Sequence, residues 1–110
     1  DYTIIFDGDL AAGFLSLGKS WDAGAGEACG EIWSICLRPD CRGRGIGAQL
    51  MRWGLAELKK RGFREATLWV LEENLAARAF YEKLGFACDG AVKDIRIDKI
   101  MQERRYRIWL

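Results

Sequence analysis

The sequence predicts one domain of the α/β class, with a mixed sheet that contains both antiparallel and parallel strands. At 110 residues the chain is long enough for a single core, and a composition that is 50% hydrophobic and 30% charged is that of an ordinary globular domain. A strand–helix–strand order over residues 31–37, 46–61 and 66–71 implies a right-handed parallel crossover. Short β-rich segments at both ends of the chain are typical of antiparallel hairpins, so both kinds of pairing are expected in one sheet.

The first three predicted elements are strands. Residues 3–6 are β-rich, Asp7-Gly8 is a favourable hairpin turn, and residues 10–17 form the returning strand. The small and polar residues 18–30 predict a flexible loop. The mostly apolar residues 31–37 then form the third strand, which Pro39-Asp40 ends.

Two helices and three more strands follow. Residues 46–61 predict a helix because small or apolar residues recur along one of its faces: Gly47, Leu50, Met51, Gly54, Leu55 and Leu58. Gly62 supplies a left-handed cap, and the nearly continuous apolar residues 66–71 predict a strand that is covered on both faces. Asn74 caps a second helix over residues 75–84, which Gly85 ends. The last strands are expected at residues 91–97 and 104–110, joined by a turn near Asp98-Lys99.

The charge and the residue types exclude several classes of function. Seventeen basic and sixteen acidic residues leave a net charge of +1, which gives no reason to expect a nucleic-acid or membrane partner. No apolar segment approaches a membrane span, and no secretory leader is expected. The chain has no histidine, so histidine-activated nucleophiles and histidine-containing zinc sites are excluded and no metal is expected. The four cysteines form no CxxC pair, which favours reduced thiols and a cytoplasmic location.

The segment RGRGIG, residues 42–47, lies between the third strand and the first helix. The first amides of a helix have no partner within the helix, and glycines let an anion approach them closely. Arg42 and Arg44 add charged donors to a set of three glycines: Gly43, Gly45 and Gly47. The alternative is a tight turn whose glycines solve only a steric problem. A nucleotide-triphosphate loop is disfavoured because Gly47 is followed by Ala48 rather than lysine, and the G-x-G-x-G spacing disfavours a dinucleotide fingerprint.

Two motifs in this order resemble those of the GNAT superfamily, the Gcn5-related N-acetyltransferases. Residues 42–47 match Q/R-x-x-G-x-G/A, and NLAARAFYEKLGF at residues 74–86 is similar to N-x-x-A-x-x-x-Y-x-x-x-G-F. One strand separates the two motifs, as in that family. The resemblance covers the chain from about Leu10 to its C-terminus and implies the acyl-CoA N-acyltransferase fold. Family members usually carry another strand and two helices before the first hairpin, so these N-terminal elements are expected to be missing here.

The resemblance implies acetyl-coenzyme A as the acyl donor. In the family, the strand at residues 31–37 splays from the strand at residues 66–71, and the pantetheine arm lies in the gap. The amides of residues 42–48 would hold the pyrophosphate. Asn74 would contact the pantetheine arm, while a plain N-cap is its alternative role, and the two are compatible. The implied binding residues are Ile35, Cys36, Leu37, Arg42, Gly43, Arg44, Gly45, Ile46, Gly47, Ala48, Asn74, Ala77 and Tyr81.

Two residues are candidates for the chemistry. By resemblance Tyr81 protonates the departing thiolate, since a phenol keeps its proton at neutral pH; the alternative is a core aromatic residue. The spacing of Glu31 to Arg42 and Gly45 is similar to that of the catalytic glutamate in the histone-acetylating branch of the superfamily, which implies a general base; the alternative is a strand-end residue that faces solvent. An amide, that of Ile35, is expected to stabilise the oxyanion. An acetyl-cysteine intermediate is disfavoured because no histidine could activate a thiol.

The function expected from the resemblance is direct transfer of an acetyl group from acetyl-coenzyme A to a primary amine of a small molecule or a protein. One rival is a non-catalytic acyl-coenzyme A binding or sensing domain of the same fold, and another is a nucleotide-binding regulator. The acceptor amine and the oligomeric state, a homodimer included, are left open.

Overall fold

A computed structural model describes residues 2–7, 10–43 and 45–110 of the chain. Arg44 and the Gly8 of the predicted hairpin turn lie outside these residues. The strands and helices are β1 (Tyr2–Asp7), β2 (Leu10–Lys19), β3 (Cys29–Leu37), α1 (Ile46–Lys60), β4 (Glu65–Leu71), α2 (Leu75–Lys83), β5 (Ala87–Ile97) and β6 (Lys99–Trp109), with a short 3-10 helix at Pro39–Cys41.

The six strands form one mixed sheet in the order β1-β2-β3-β4-β6-β5. β1 with β2 and β5 with β6 are antiparallel hairpins, and β3 runs parallel to β4. The predicted α/β class, the two hairpins and the parallel crossover are therefore confirmed. The position of β6 was not predicted: it returns between β4 and β5 and pairs antiparallel with β4 along the whole of β4.

The helices match their predicted bounds to within one residue, whereas all six strands are longer than predicted. β2 continues to Lys19 and β3 begins at Cys29, because Gly18 and Lys19 still pair across the hairpin with Glu31 and Gly30. The predicted loop over residues 18–30 is correspondingly shorter. At the other end of the chain, β5 and β6 form a long hairpin whose register reaches Ile97 and Lys99. Its turn residue Asp98 has a φ of 59°, in the left-handed region.

Both helices pack on the same face of the sheet, and this face carries the core. Residues of β4 alternate, so that Ala66, Leu68 and Val70 point towards the helices and are almost completely buried. They join buried side chains from α1 and from neighbouring strands: Leu15, Leu17, Ile32, Leu50, Met51, Leu58, Phe86 and Tyr106. Phe80 and Tyr81 of α2 and its C-cap residue Leu84 pack against this core. Among the described residues, no helix has the length and apolar character needed to cross a bilayer.

The opposite face of β4 is covered by charged side chains, in keeping with the predicted burial on both sides. The indole Nε1 of Trp69 donates to both carboxylate oxygens of Asp22, at 3.2 and 3.1 Å. Lys93 Nζ lies 4.3 Å from the centre of the indole ring, and the guanidinium carbon of Arg105 lies 5.6 Å from it. Arg105 also pairs with Asp22 at 3.4 Å, so strands and loop are joined around one tryptophan.

Candidate functional site

A gap opens between the two parallel strands in the middle of the sheet. β3 and β4 pair only at their first residues, Cys29 with Glu65, Gly30 with Ala66 and Glu31 with Thr67. Beyond these pairs β3 runs on to Leu37 and β4 to Leu71, and the two strands have no further register with each other. β4 remains paired with β6 and β3 with β2 along this length, so the sheet divides between β3 and β4.

A bulge in β3 lies at the point where the strands separate. Leu17 of β2 is opposite Ile32, but the next residue, Ser16, is opposite Ser34, so Trp33 is an extra residue without a cross-strand partner. The Trp33 ring lies across Gly18, where a Cβ would come within 2.4 Å of it. A bulge bends its strand and increases the local twist. The bulge at Trp33 therefore explains why β3 leaves β4 two residues after their last pair.

The beginning of α1 lies beside this gap and presents backbone donors. Gly45 is the N-cap with a φ of 78°, and no side chain caps the helix. The first helical hydrogen bond runs from the amide of Gln49 to the carbonyl of Gly45, at 3.1 Å. The preceding amides, those of Ile46, Gly47 and Ala48, therefore have no partner within the helix, and the first turn contains no acidic side chain. This helix end can accept an anion.

The glycines of this turn have two different roles. Gly43 and Gly45 both have a φ of 78°, and a Cβ on either would meet no atom within 4 Å among the described residues beyond its chain neighbours, so they allow a left-handed backbone with space beside it. A Cβ on Gly47 would instead lie 3.0 Å from a Leu37 methyl carbon and 3.3 Å from the Phe80 ring. Gly47 thus lets α1 pack close to the end of β3 and to α2. The alternative in which the glycines solve only a steric problem therefore applies to Gly47, while the space beside Gly43 and Gly45 suits a ligand.

The free end of β3 carries three of the residues expected to bind the coenzyme. Ile35 packs against the core and Leu37 is half-buried, whereas Cys36 is exposed and is a free thiol. An open, mainly apolar cavity of about 580 Å³ adjoins this end and is lined by Ala11, Gly13, Phe14, Ser16, Cys36, Leu37 and Arg38. Arg42, which follows the 3-10 helix, is exposed.

Asn74 forms the N-cap of α2 at the far side of the gap. Its Oδ1 accepts a hydrogen bond from the amide of Ala77 at 3.1 Å, which is the capping geometry that the sequence predicted. The side chain is exposed, and its Nδ2 group has two N–H donors that the cap does not use. The cap and a contact to a ligand are therefore compatible in one side chain.

Tyr81 lies in an aromatic cluster on α2. Its ring makes edge contacts with Phe80 and Phe86, at centroid distances of 5.4 and 6.0 Å, and lies 6.4 Å from the ring of Tyr106. Burial raises the pKa of the Tyr81 phenol, and the thiol of Cys36 raises it further. Leu37 at the end of β3 and Phe80, the residue before Tyr81, both lie beside Gly47, so this part of α2 is near the free end of β3. The Tyr81 hydroxyl keeps its proton at neutral pH and can donate it.

Glu31 is the last residue of β3 that pairs with β4, and its side chain is half-buried. Burial raises its pKa and the charge of Asp22 raises it further, while a hydrogen bond from Ser20 and the charges of Lys93 and Arg105 oppose the shift. A raised pKa makes the carboxylate a stronger base than an ordinary glutamate. Glu31 is therefore not a fully solvated strand-end residue.

The gap thus has a distinct chemical group on each of its sides. Amides that have no partner within the helix border one end, and the free edge of β3 follows it. A protonated phenol lies on the neighbouring helix α2, and a carboxylate marks the point where the strands separate. Such a channel fits an extended molecule with a phosphate at one end. The sequence did not indicate the bulge at Trp33 that opens the gap, because a bulge depends on pairing between distant segments.

The comparisons with known proteins agree with this geometry. The model of the "Acetyltransferase (GNAT) family" matches residues 2–86. A mycothiol acetyltransferase of Geodermatophilus obscurus is 37% identical over 87 residues, which are 77% of this chain and 28% of that protein. An uncharacterized N-acetyltransferase of Methanocaldococcus jannaschii is 48% identical over 63 residues, or 57% of this chain and 28% of that protein. The chain therefore spans less than a third of the length of these curated relatives.

Solved structures share the fold at low sequence identity. A Bacillus subtilis acetyltransferase in complex with CoA superposes with a TM-score of 0.78 and 21% identity, over 96% of this chain and 73% of that chain. A Bacillus anthracis acetyltransferase in complex with acetyl coenzyme A gives a TM-score of 0.85 and 21% identity, over 99% and 61% of the two chains.

Proposed function

Because the chain belongs to the GNAT family of acetyltransferases, we propose that it binds acetyl-coenzyme A and transfers the acetyl group directly to a primary amine. One observation carries the proposal: the strands β3 and β4 separate beside the uncapped start of α1, where the end of β3 and the helix that carries Tyr81 also come together. Structural neighbours crystallised with CoA or acetyl coenzyme A support the choice of ligand. A cytoplasmic location is part of the proposal, since all four cysteines are free thiols.

The coenzyme would extend from the end of α1 along β3. Its pyrophosphate would accept hydrogen bonds from the amides of Ile46, Gly47 and Ala48, which have no partner within the helix, and from the turn before them, where Gly43 and Gly45 leave space for a ligand. Arg42 would add a charged donor, and we assign Arg44 the same role from the sequence alone. The pantetheine arm would run along the edge formed by Ile35, Cys36 and Leu37, opposite the N-terminal turn of α2 with Asn74 and Ala77.

The side chains around the gap would supply the proton transfers. The thioester supplies an activated acetyl group, and the acceptor amine must lose its proton before it can attack. Glu31, with its raised pKa, would accept that proton either directly or through a water molecule. The amide of Ile35 would donate to the carbonyl oxygen as its charge develops. Tyr81 would then donate its proton to the sulfur of the departing coenzyme.

The experiment that tests the ligand class is a thermal-shift series with acetyl-coenzyme A, coenzyme A, ATP and NAD. A ligand at about one hundred times its Kd stabilises the folded state by about 2.7 kcal/mol. For 110 residues this corresponds to a rise in Tm of about 12 °C. We expect this rise with both forms of the coenzyme and not with ATP or NAD. Equal stabilisation by ATP would favour a nucleotide-binding regulator.

Turnover separates an enzyme from a sensor of the same fold. Coenzyme release in the presence of primary amines is followed by a free-thiol assay in the wild type and in Tyr81→Phe. We expect the substitution to lower kcat by about 10²-fold, the contribution of a positioned acid, with the coenzyme Kd nearly unchanged. Lys83→Gln, an exposed neighbour on α2, is the matched control and should retain full turnover. Coenzyme binding without turnover for any amine would instead indicate a sensing domain.

A further inference from the structure

The helix that carries Tyr81 is attached to the sheet by partly buried contacts. No side chain of α2 is fully buried, although Phe80, Tyr81 and Leu84 pack partly against the core. Partly buried apolar contacts are not directional, so by themselves they leave a short helix free to roll. The residue below α2 is Tyr106 of β6, whose side chain is completely buried.

The Tyr106 hydroxyl joins two successive turns of α2. It accepts a hydrogen bond from Arg78 Nε at 2.9 Å and donates one to Glu82 Oε2 at 2.7 Å. Arg78 also donates from Nη1 to the carbonyl oxygen of Glu72 at 2.9 Å, which ties the same helix to the segment that follows β4. Residues four apart lie on one side of a helix, so the two bonds hold one side of α2 at two heights. Because each bond is directional, together they fix both the roll and the height of the helix.

We propose that Tyr106 is a positioning residue, whose hydroxyl fixes the roll of α2 and thereby holds the Tyr81 hydroxyl at the gap. Tyr81 is three residues after Arg78 and one before Glu82, so it lies close to the side that these bonds hold. A tyrosine hydroxyl is far from the helix axis, so a roll of about 10° moves it by on the order of 1 Å. A displacement of that size can cost about 10²-fold in rate. The inference rests on the proposed function, in which Tyr81 is the acid.

The test is a double-mutant cycle with Tyr106→Phe and Tyr81→Phe, made in the 110-residue chain. Tyr106→Phe keeps the buried ring and removes both hydrogen bonds. We expect kcat to fall by about 10-fold to 10²-fold, with the Kd of coenzyme A unchanged within about threefold, since α1 and β3 are not affected. In the Tyr81→Phe background the same substitution should have no further effect on kcat, because the group that it positions is gone.

Two controls separate positioning from stability. Leu58→Val removes a methylene from a buried residue of α1 and lowers the Tm without touching α2, and its kcat well below the Tm should equal that of the wild type. If Tyr106→Phe does not fold, Glu82→Gln replaces it in the cycle. This substitution changes an exposed residue and weakens the 2.7 Å hydrogen bond between the Tyr106 hydroxyl and residue 82. The rate of amide hydrogen exchange in α2, measured relative to that in α1, reports on the same contact and requires no turnover. In Tyr106→Phe this relative rate should rise at least about tenfold.

The outcomes are distinguishable. An unchanged kcat in Tyr106→Phe, or a loss of kcat that persists in the Tyr81→Phe background, would overturn the positioning role. Unchanged exchange of the α2 amides would overturn the structural basis of the claim even if no acceptor is found. Failure of the proposed function has a different signature, namely a wild type that releases no coenzyme with any amine, or a Tyr81→Phe variant with full turnover.

Discussion

Replacing Asn74 by serine and by alanine separates the two roles that this residue can have. Its Oδ1 caps α2 by accepting from the Ala77 amide at 3.1 Å, and its Nδ2 group remains for a ligand. Serine keeps an oxygen that can cap and removes the amide donors, whereas alanine removes both. Loss of an N-cap costs about 1 kcal/mol. For 110 residues with an unfolding entropy of about 0.23 kcal/mol per degree, Asn74→Ala should lower the Tm by about 4 °C.

The affinity for coenzyme A should depend on the Nδ2 group of Asn74. A net hydrogen bond contributes about 1 kcal/mol, so both Asn74→Ser and Asn74→Ala should raise the Kd of coenzyme A by about fivefold. The Tm is measured by differential scanning fluorimetry and the Kd by isothermal titration calorimetry, with Glu73→Gln, an exposed neighbour, as the matched control. Equal affinity in all four proteins would refute the ligand contact and leave Asn74 as a plain N-cap. An equal loss of Tm in serine and alanine variants would refute the capping argument.

Three further predictions concern the base and the glycine turn. Glu31 acts as a base only when it is deprotonated, and its pKa is raised. As the pH decreases, kcat/KM should therefore begin to fall at a pH above the pKa of an ordinary glutamate, and Glu31→Gln should abolish this acidic limb of the pH profile. A limb that is retained in the variant would belong to another group. Because the raised pKa makes the charged form unfavourable in the folded state, Glu31→Gln should raise the Tm at pH 8, and the gain should disappear towards pH 4; a constant gain would refute the electrostatic explanation. Gly45 has a φ of 78°, so Gly45→Ala should lower the free energy of unfolding by about 1 to 2 kcal/mol and weaken coenzyme binding. Gly47→Ala should lower it by less, because the ends of the Leu37 and Phe80 side chains can shift. Thermal melts that reverse this order would contradict the two roles.

The local features of this fold were accessible from the sequence. Four predicted features depend only on neighbouring residues, and each is present: the apolar spacing of α1, the left-handed cap at Gly62, the end of α2 before Gly85 and the N-cap at Asn74. The position of β6 and the bulge at Trp33 depend on which distant segments pair, and no local pattern specifies that choice.

The candidate site divides in the same way. The glycine turn, Tyr81 and Glu31 could be selected from motif spacing, although their roles remain predictions. The support below Tyr81 could not be selected, since Tyr106 is 25 positions away in the sequence numbering and has three arginine neighbours in the segment RRYR, residues 104–107. In the structure its side chain is completely buried, and its strand lies between two others. The burial of Tyr106 within this charged segment therefore depends on the order of the strands in the sheet, which the segment itself does not specify.

The separation of β3 from β4 gives the sheet two additional rims in its interior, besides the outer ones at β1 and β5. Peptide groups along such rims must find water or another extended chain, and a strand from a second molecule competes for the same place. Occupancy of the opening would then protect the protein against self-association as well as prepare it for reaction. Preparations freed of coenzyme should therefore aggregate sooner on storage than preparations saturated with it.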